Sequence, residues 1–439
     1  MTEALIAQLG AASNVRVISR ASVRDVEVGK SPAEIARAVG SDAIVRGTLS
    51  RSGDLIGLEL QLVDAGSGGV LWSRSFRRGA REALALQADA VGAIADRLDA
   101  GLRPGARKWL TLVPSVDPDV YEAYLKGRYE WNQRTASSLE RAVAHFDSAI
   151  ALNPAYAPAH AALADCYNLM GTVMVGSGSP LEYRPRAEAA AIRALQIDPD
   201  SAEAHAALGY VRHYSWQWAE AEKEFLRAIQ LNPSQALPRV WYANLLMSRG
   251  RFDEALQQAH AARDIDPFSL IVNTNIGWIL YYAERNEEAV EQLTRTVALD
   301  PSYPQAHWRL SEALSAVGRH DEAVREAGEL LRLTARSSSS LAHTARALAQ
   351  AGRAADARRL LDEFVVRARR EYVSPGTVPA AYTELGDHEA ALRWIERAYS
   401  ERANAVAYFA VAPWTRPLRA HPRFRALLKE VGLAPAPPS

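Results

Sequence analysis

Three histidines, a single cysteine, a Gly-Lys-Ser triplet and a glycine-rich stretch are the residues whose types and spacing could carry chemistry. Gly29-Lys30-Ser31 has the ending of a phosphate-binding loop, where backbone N–H groups and a lysine hold phosphate oxygens. The first glycine of such a loop falls on Arg24, and Pro32 follows directly. Ser31-Pro-Ala-Glu34 instead forms the pattern of a capping box that opens a helix at 32–39. Gly176-Ser-Gly-Ser-Pro180 follows no strand and opens no helix with a lysine, so it is expected to be a flexible insertion. His160, His205 and His307 share one position in a repeating pattern. Zinc takes three or four ligands at about 2 Å, only two of these histidines could be neighbours, and no cysteine joins them. They are expected to pack between helices. Cys166 lies in an apolar stretch and is expected to pack as a small hydrophobe. No G-x-S-x-G elbow, H-E-x-x-H pair or kinase phrase occurs. Acidic pairs such as Glu287-Glu288 fall on polar helix faces. The residues therefore point to no active site, no metal and no cofactor.

The elements that would position any site repeat. Pro199, Pro233, Pro267 and Pro301 stand 34 residues apart, each closing a phrase of the form Ile/Leu-Asp/Asn-Pro. Gly250, Gly318, Gly352 and Gly386 keep the same period, at 68, 34 and 34 residues, and each is followed five residues later by Ala. A fixed period marks stacked supersecondary units. Each unit has two amphipathic segments of about a dozen residues. Glycine supplies the left-handed turn between them, alanine lets the helices approach, and proline ends the second helix.

This pattern resembles the tetratricopeptide repeat (TPR). Leu208-Gly209, Ala221, Phe225, Ala228 and Pro233 carry the match in the third unit. The resemblance implies a mostly α fold, a right-handed solenoid of about eight helix pairs over 119–402. The second unit carries about eleven extra residues at 171–183, expected as an exposed loop. In the family's register the concave face is lined by Tyr210, His213 and Tyr214, then Asn244 and Met247, then Ile271, Trp278, Tyr281 and Tyr282, then Trp308. TPR domains that capture a peptide C-terminus share two Lys, two Asn and one Arg; here these positions hold Val240, Asn244, Asn275, Gln305 and Arg309. Both Asn and the Arg match; both Lys do not. The expectation is an open aromatic groove that takes a protein or peptide partner.

Residues 1–102 lack the period. A short helix at 2–9, a strand at 15–19, the helix at 32–39, three alternating strands at 42–51, 55–63 and 70–76, and a helix at 81–98 make an α+β unit. Ala43-Ile-Val-Arg-Gly-Thr-Leu, Leu60-Gln-Leu-Val-Asp and Val70-Leu-Trp-Ser-Arg-Ser-Phe resemble the TolB-like amino-terminal domain. Such domains precede TPR arrays in bacterial transcription activators, class III adenylate cyclases and serine/threonine kinases. The family's opening strand is missing before Thr2, so the chain is expected to be part of a longer protein. Residues 103–118 are expected as a linker and 403–439 as a tail with a short helix.

The 439 residues carry 51 basic and 51 acidic side chains, which excludes binding to nucleic acid by bulk charge. From Arg336 onward sixteen basic side chains face ten acidic ones, so the last quarter is basic and the rest acidic. No apolar run approaches the roughly 20 residues of a membrane span, and no signal peptide opens the chain. The expected function is a non-catalytic interaction and regulatory module of a bacterial signalling or transcription-regulating protein, cytoplasmic as written, or periplasmic with an upstream anchor. The alternatives are the C-terminal regulatory part of a larger cyclase or kinase, and an envelope-associated assembly factor.

Overall fold

A computed structural model describes residues 5–6, 9, 17–18, 30–79, 82–98, 116–172 and 178–433. The helix expected at 2–9, the strand at 15–19 and most of the linker at 103–118 lie largely outside these residues.

The capping box forms as its residues dictate. Ser31 Oγ accepts from Glu34 N at 3.4 Å, and the Glu34 carboxylate accepts from Ser31 N at 2.7 Å. It opens α1 (Pro32–Val39), which ends on left-handed Gly40. Three strands follow, β1 (Ala43–Ser52), β2 (Leu55–Asp64) and β3 (Val70–Gly79), in an antiparallel sheet of order β1-β2-β3. Leu58 and Leu60 on one face of β2 are buried against Leu86, Ala90, Val91 and Ile94 of α2 (Ala83–Arg97), and Leu62 on the same face is buried too. Alternation of period two puts that leucine set on one face.

From Pro118 the chain is helical. The pairs are α3 (Pro118–Asn132) with α4 (Ala136–Leu152), α5 (Ala157–Met170) with α6 (Pro180–Ile197), and α7 (Ala202–Tyr214) with α8 (Trp218–Leu231). Then come α9 (Ala236–Ser248) with α10 (Phe252–Ile265), α11 (Leu270–Tyr282) with α12 (Asn286–Leu299), and α13 (Pro304–Ala316) with α14 (His320–Leu333). Last are α15 (Ser338–Gln350) with α16 (Ala354–Arg367), and a short α17 (Pro379–Glu384) with α18 (His388–Ser400). The insertion in the second pair is not wholly a loop. Its last residues start α6, and Tyr183 stacks on Tyr167 at 6.3 Å; residues 173–177 lie outside the described set.

Packing explains the period. Ala221, Ala255, Ala289, Ala323, Ala357 and Ala391 are each fully buried. Only a methyl group fits where two helices of a pair cross this closely. Gly209 does the same on the facing helix, since a Cβ there would lie 2.8 Å from the Phe225 ring. The turn between helices needs one left-handed residue. Gly250, Gly318, Gly352 and Gly386 supply it, with φ from 74° to 79°. Trp216 (66°) and Glu284 (62°) stand at the same 34-residue spacing and adopt the same backbone without being glycine. Each costs about 1 kcal/mol in backbone strain, offset by the packing around it.

The histidines act as helix-pair fasteners. The Nε2 atoms of His160, His205 and His307 lie 3.1, 3.0 and 2.9 Å from the carbonyls of Pro154, Pro199 and Pro301. His205 and His307 also hold Glu224 and Glu326 through Nδ1. Asn273 gives Nδ2 to Pro267 O at 2.8 Å, so an amide does the same work in the fifth pair. Cys166 is fully buried among apolar neighbours, and burial raises its thiol pKa far above the ordinary range.

Candidate functional site

The concave face is built from the first helices of successive pairs, α7, α9, α11 and α13. Their apolar residues recur on nearly every side, because these helices pack against neighbours within and between pairs. The groove they form is not open. After α18 the chain turns back at Arg402, left-handed with φ 55°. It then runs through two 3-10 turns, Asn404–Tyr408 and Pro413–Leu418, and ends in α19 (Pro422–Glu430). Ala403 and residues 406–412 join the same core as Tyr210, Tyr214, Tyr281 and Tyr282. Tyr408 is 5% exposed and Phe409 1%.

Specific polar contacts fix this segment. Tyr408 and Tyr214 share a hydroxyl hydrogen bond of 2.7 Å, and Asn404 Nδ2 donates to Tyr210 Oη at 3.2 Å. Arg184 Nη2 donates to Asn404 Oδ1 at 2.7 Å and to the Arg402 carbonyl at 2.9 Å. The Tyr408 ring lies 4.9 Å from Trp278 and meets Tyr282 and His213 edge-on. Further on, Trp218 Nε1 donates to Val431 O and Arg249 to Gly432 O, both at 2.9 Å, while Arg416 pairs with Glu284. Buried aromatic anchors, such as Tyr408 and Trp218 with their polar tips hydrogen-bonded, account for most of the energy of a docked segment.

The residues expected to line the groove are gathered here, but they are covered. Tyr210, Tyr214, Trp278, Tyr282, Trp308 and Arg309 surround one cavity of about 230 Å³ beneath the segment. Tyr210, Tyr214, Asn244, Asn275, Tyr281, Tyr282, Trp308 and Arg309 are all buried, and Trp278 is half-buried. Open exposure is thus corrected. The chain's own tail takes the place that a partner was expected to fill. The carboxylate-capture set is also rearranged. Asn275 Nδ2 donates to Asn244 Oδ1 at 2.5 Å, which ties the two amides together, while the buried Asn275 Oδ1 has no hydrogen-bond partner among the described residues. Arg309 lies between two indoles, 4.0 Å from Trp278 and 3.8 Å from Trp308, and gives Nη1 to Glu312 at 2.7 Å.

A buried charge network stands behind these aromatics. Arg346 donates to Glu312 at 2.8 Å, to Glu384 at 3.3 Å and to Tyr281 Oη at 2.9 Å. Burial alone would raise the Glu312 pKa; the guanidinium groups of Arg309 and Arg346 outweigh it and hold the carboxyl below its ordinary value. His343 packs against Trp308 with ring centroids 3.9 Å apart and the planes tilted by 33°. None of Asn404, Tyr408, Glu312, His343 and Arg346 stood out in the sequence. Tyr408 and Asn404 lie beyond the periodic region, and the other three stand at positions whose residue types look like ordinary helix surface.

Burial pushes His213 and His343 down to about 3, helped for His213 by the nearby Arg184. Both rings stay neutral in the fold, while the unfolded chain protonates them near 6.5. Their contribution is present above that value and is lost as pH falls toward about 3. Glu312 adds to this below its ordinary 4.5. His307, raised chiefly by its hydrogen bond to Glu326, acts oppositely: its contribution is present below 6.5 and lost as pH rises through its folded value. Burial also lowers His260 and pushes the Asp165 carboxyl up to about 7, which acts in the same sense as His307; the three lowered imidazoles outweigh these two raised groups. The urea midpoint is expected to fall between about pH 7 and about pH 5, and His213→Gln is expected to flatten that slope. A midpoint constant over the window would contradict neutral buried imidazoles.

Among the described residues no helix is long and apolar enough to cross a membrane. Comparison with known proteins agrees with the helix-pair geometry. Family models of the tetratricopeptide repeat match residues 215–269 and 274–340, and 339–363 and 380–397. A protein of Rhizobium meliloti (strain 1021) that carries the name adenylate cyclase 3 is 27% identical over 224 residues, which is 51% of this chain and 38% of that protein. The chain thus spans well under half the length of this curated relative. Among solved structures, an IFIT1 monomeric mutant with Gppp-AAAA superposes with a TM-score of 0.51 at 17% identity, covering 72% of this chain and 76% of that one. The human IFIT1 dimer with m7Gppp-AAAA gives 0.50 at 18% identity and the same coverage. At such identities the likeness concerns the fold alone. The stacked helix pairs form a tetratricopeptide-repeat solenoid, with the family matches falling within residues 215–397, and a small antiparallel sheet lies near the N-terminus.

Proposed function

We propose that the chain is a non-catalytic interaction and regulatory module of a bacterial signalling or transcription-regulating protein. Its concave face recognises an extended segment anchored by aromatic side chains. The observation that carries this is the docked tail: Asn404 and Tyr408 are bound by Tyr210, Tyr214 and Trp278 as a foreign peptide would be. In this reading the tail is the resident occupant, and a partner presenting similar anchors replaces it.

The experiment is binding in trans. A labelled peptide of residues 403–418 is titrated by fluorescence anisotropy against the whole chain and against its Asn404→Ala, Tyr408→Ala variant. A tethered competitor acts at an effective concentration on the order of millimolar, so the variant should bind the peptide about 100-fold or more tightly than wild type does. Equal affinity for both, or no binding to the variant, would overturn the reading.

A second reading is favoured by the similarity to the Rhizobium meliloti protein. Here the chain is the regulatory part of a larger cyclase or kinase, with a TolB-like unit at residues 1–102 followed by the repeats. The residue patterns of the three strands support that unit. An in-frame catalytic domain encoded directly upstream of Met1 would support this reading, and an in-frame stop codon there would favour a free adaptor.

A further inference from the structure

The cavity under the docked tail is too large and too well furnished to be a packing defect. Its volume of about 230 Å³ exceeds the roughly 150 Å³ that admits benzene and falls below the roughly 300 Å³ of drug-sized pockets. That size suits a molecule of one or two rings. One wall is made of flat groups in succession: Trp278, the Arg309 guanidinium and Trp308, at separations of 4.0 and 3.8 Å, and then His343, tilted by 33° with its ring 3.9 Å from that of Trp308. Tyr408 on the tail also lines the cavity, with its ring 4.9 Å from that of Trp278.

The polar groups are unequally engaged. Both oxygens of Glu312 are taken, Oε2 by Arg309 and Oε1 by Arg346. Arg346 is further held by Glu384 and the Tyr281 hydroxyl. Arg309 differs, since among the described residues only Glu312 accepts a hydrogen bond from it. A guanidinium has five N–H donors, so most of its edge is left for a ligand. The ionisable side chains lining the cavity, Arg309, Arg346, Glu312 and the neutral His343, sum to one positive charge. Stacking on two indoles holds the guanidinium flat and leaves its in-plane edge as the donor surface.

We propose that this cavity is a binding site for a small aromatic carboxylate of one or two rings. Its ring packs against the Trp278, Trp308 and Tyr408 side chains, and its carboxylate accepts from the Arg309 guanidinium. The site goes beyond peptide recognition and rests on that reading only through the docked tail, which closes the cavity. A bound ligand would add contacts to Tyr408 and so hold the tail in place.

The test is calorimetric titration of the whole chain with naphthoate, alongside naphthalenemethanol and cyclohexanecarboxylate. Wild type should bind naphthoate with a dissociation constant below about 1 mM, with each comparison compound about 10-fold weaker, since a charge-assisted or stacking contact is worth on the order of 1.4 kcal/mol. Arg309→Gln should lower naphthoate affinity about 10-fold and leave naphthalenemethanol unchanged. Ser374→Phe fills the half-buried rim of the cavity away from the charge network and should abolish binding of both aromatic compounds, with its melting temperature showing that the fold is kept. No heat from naphthoate at millimolar concentration, equal binding by cyclohexanecarboxylate, or unchanged binding by Ser374→Phe would each overturn the proposal. The peptide titration has a separate readout, so failure of groove recognition and failure of the cavity site are distinguishable.

Discussion

Tyr408→Ala is expected to detach residues 403–418 from the concave face while the helix pairs stay folded. The substitution empties a fully enclosed aromatic site and breaks the hydroxyl bond to Tyr214. Loss of a buried aromatic side chain costs about 3–5 kcal/mol, and here the loss falls on docking because Tyr408 lies on the segment that follows the last helix pair and packs onto the repeat core from outside the pairs. Trp278 should become more exposed, which a red shift of tryptophan emission reports. Proteases should cut between 403 and 418 in the variant and not in wild type. Tyr408→Phe keeps the ring and loses only the hydroxyl bond, worth about 1 kcal/mol, and should leave the tail docked. A Tyr408→Ala chain that unfolds as a whole at lower urea, with no selective cleavage, would show that the tail belongs to the solenoid core.

Arg346→Met is the second large effect. Arg346 is 4% exposed and ties α13, α17 and the Tyr281 hydroxyl together. Removing one partner of a buried ion pair typically costs about 3–5 kcal/mol; here Glu384 and one oxygen of Glu312 lose their guanidinium, while Arg309 still holds the other oxygen of Glu312. Glu312 keeps Arg309 on its other oxygen, so adding Glu312→Gln should cost about 1 kcal/mol or more less than it does with Arg346 in place, because the contact to Arg346 is already gone. Urea denaturation of both single variants and the double variant measures the coupling. Additive losses would mean that Arg346 acts through Tyr281 and Glu384, and not through Glu312.

The solenoid was legible because its constraints are steric and recur. A proline that ends a helix, an alanine at a helix crossing and a glycine in a left-handed turn each recur at a fixed spacing over several units. Where the structure met the same demand with another type, the pattern was silent. Trp216 and Glu284 occupy the left-handed turn position, and nothing in either residue type announces it. The register also picked out the aromatics of the concave face. What it did not convey was their cover. Residues 403–414, Ala-Asn-Ala-Val-Ala-Tyr-Phe-Ala-Val-Ala-Pro-Trp, follow no repeat. Their apolar density is nonetheless too high for an exposed tail, and that was the available signal. The charge network was hidden for a different reason. Glu312, Arg346 and Glu384 are ordinary helix-surface residues by type, and only the curvature of the stack turns them inward onto one another.

Hydrogen exchange of the tail tests the central claim most directly. In wild type the backbone N–H groups of Val406, Phe409, Val411 and Ala412 donate to carbonyls of Ala403, Val406, Tyr408 and Tyr408 under a covering of groove aromatics. They should exchange far more slowly than free peptide, and the Asn404→Ala, Tyr408→Ala variant should lose that protection while α9 and α11 keep theirs. Exchange of residues 404–412 at the free-peptide rate in wild type, with the repeats protected, would contradict a groove filled by the chain's own tail.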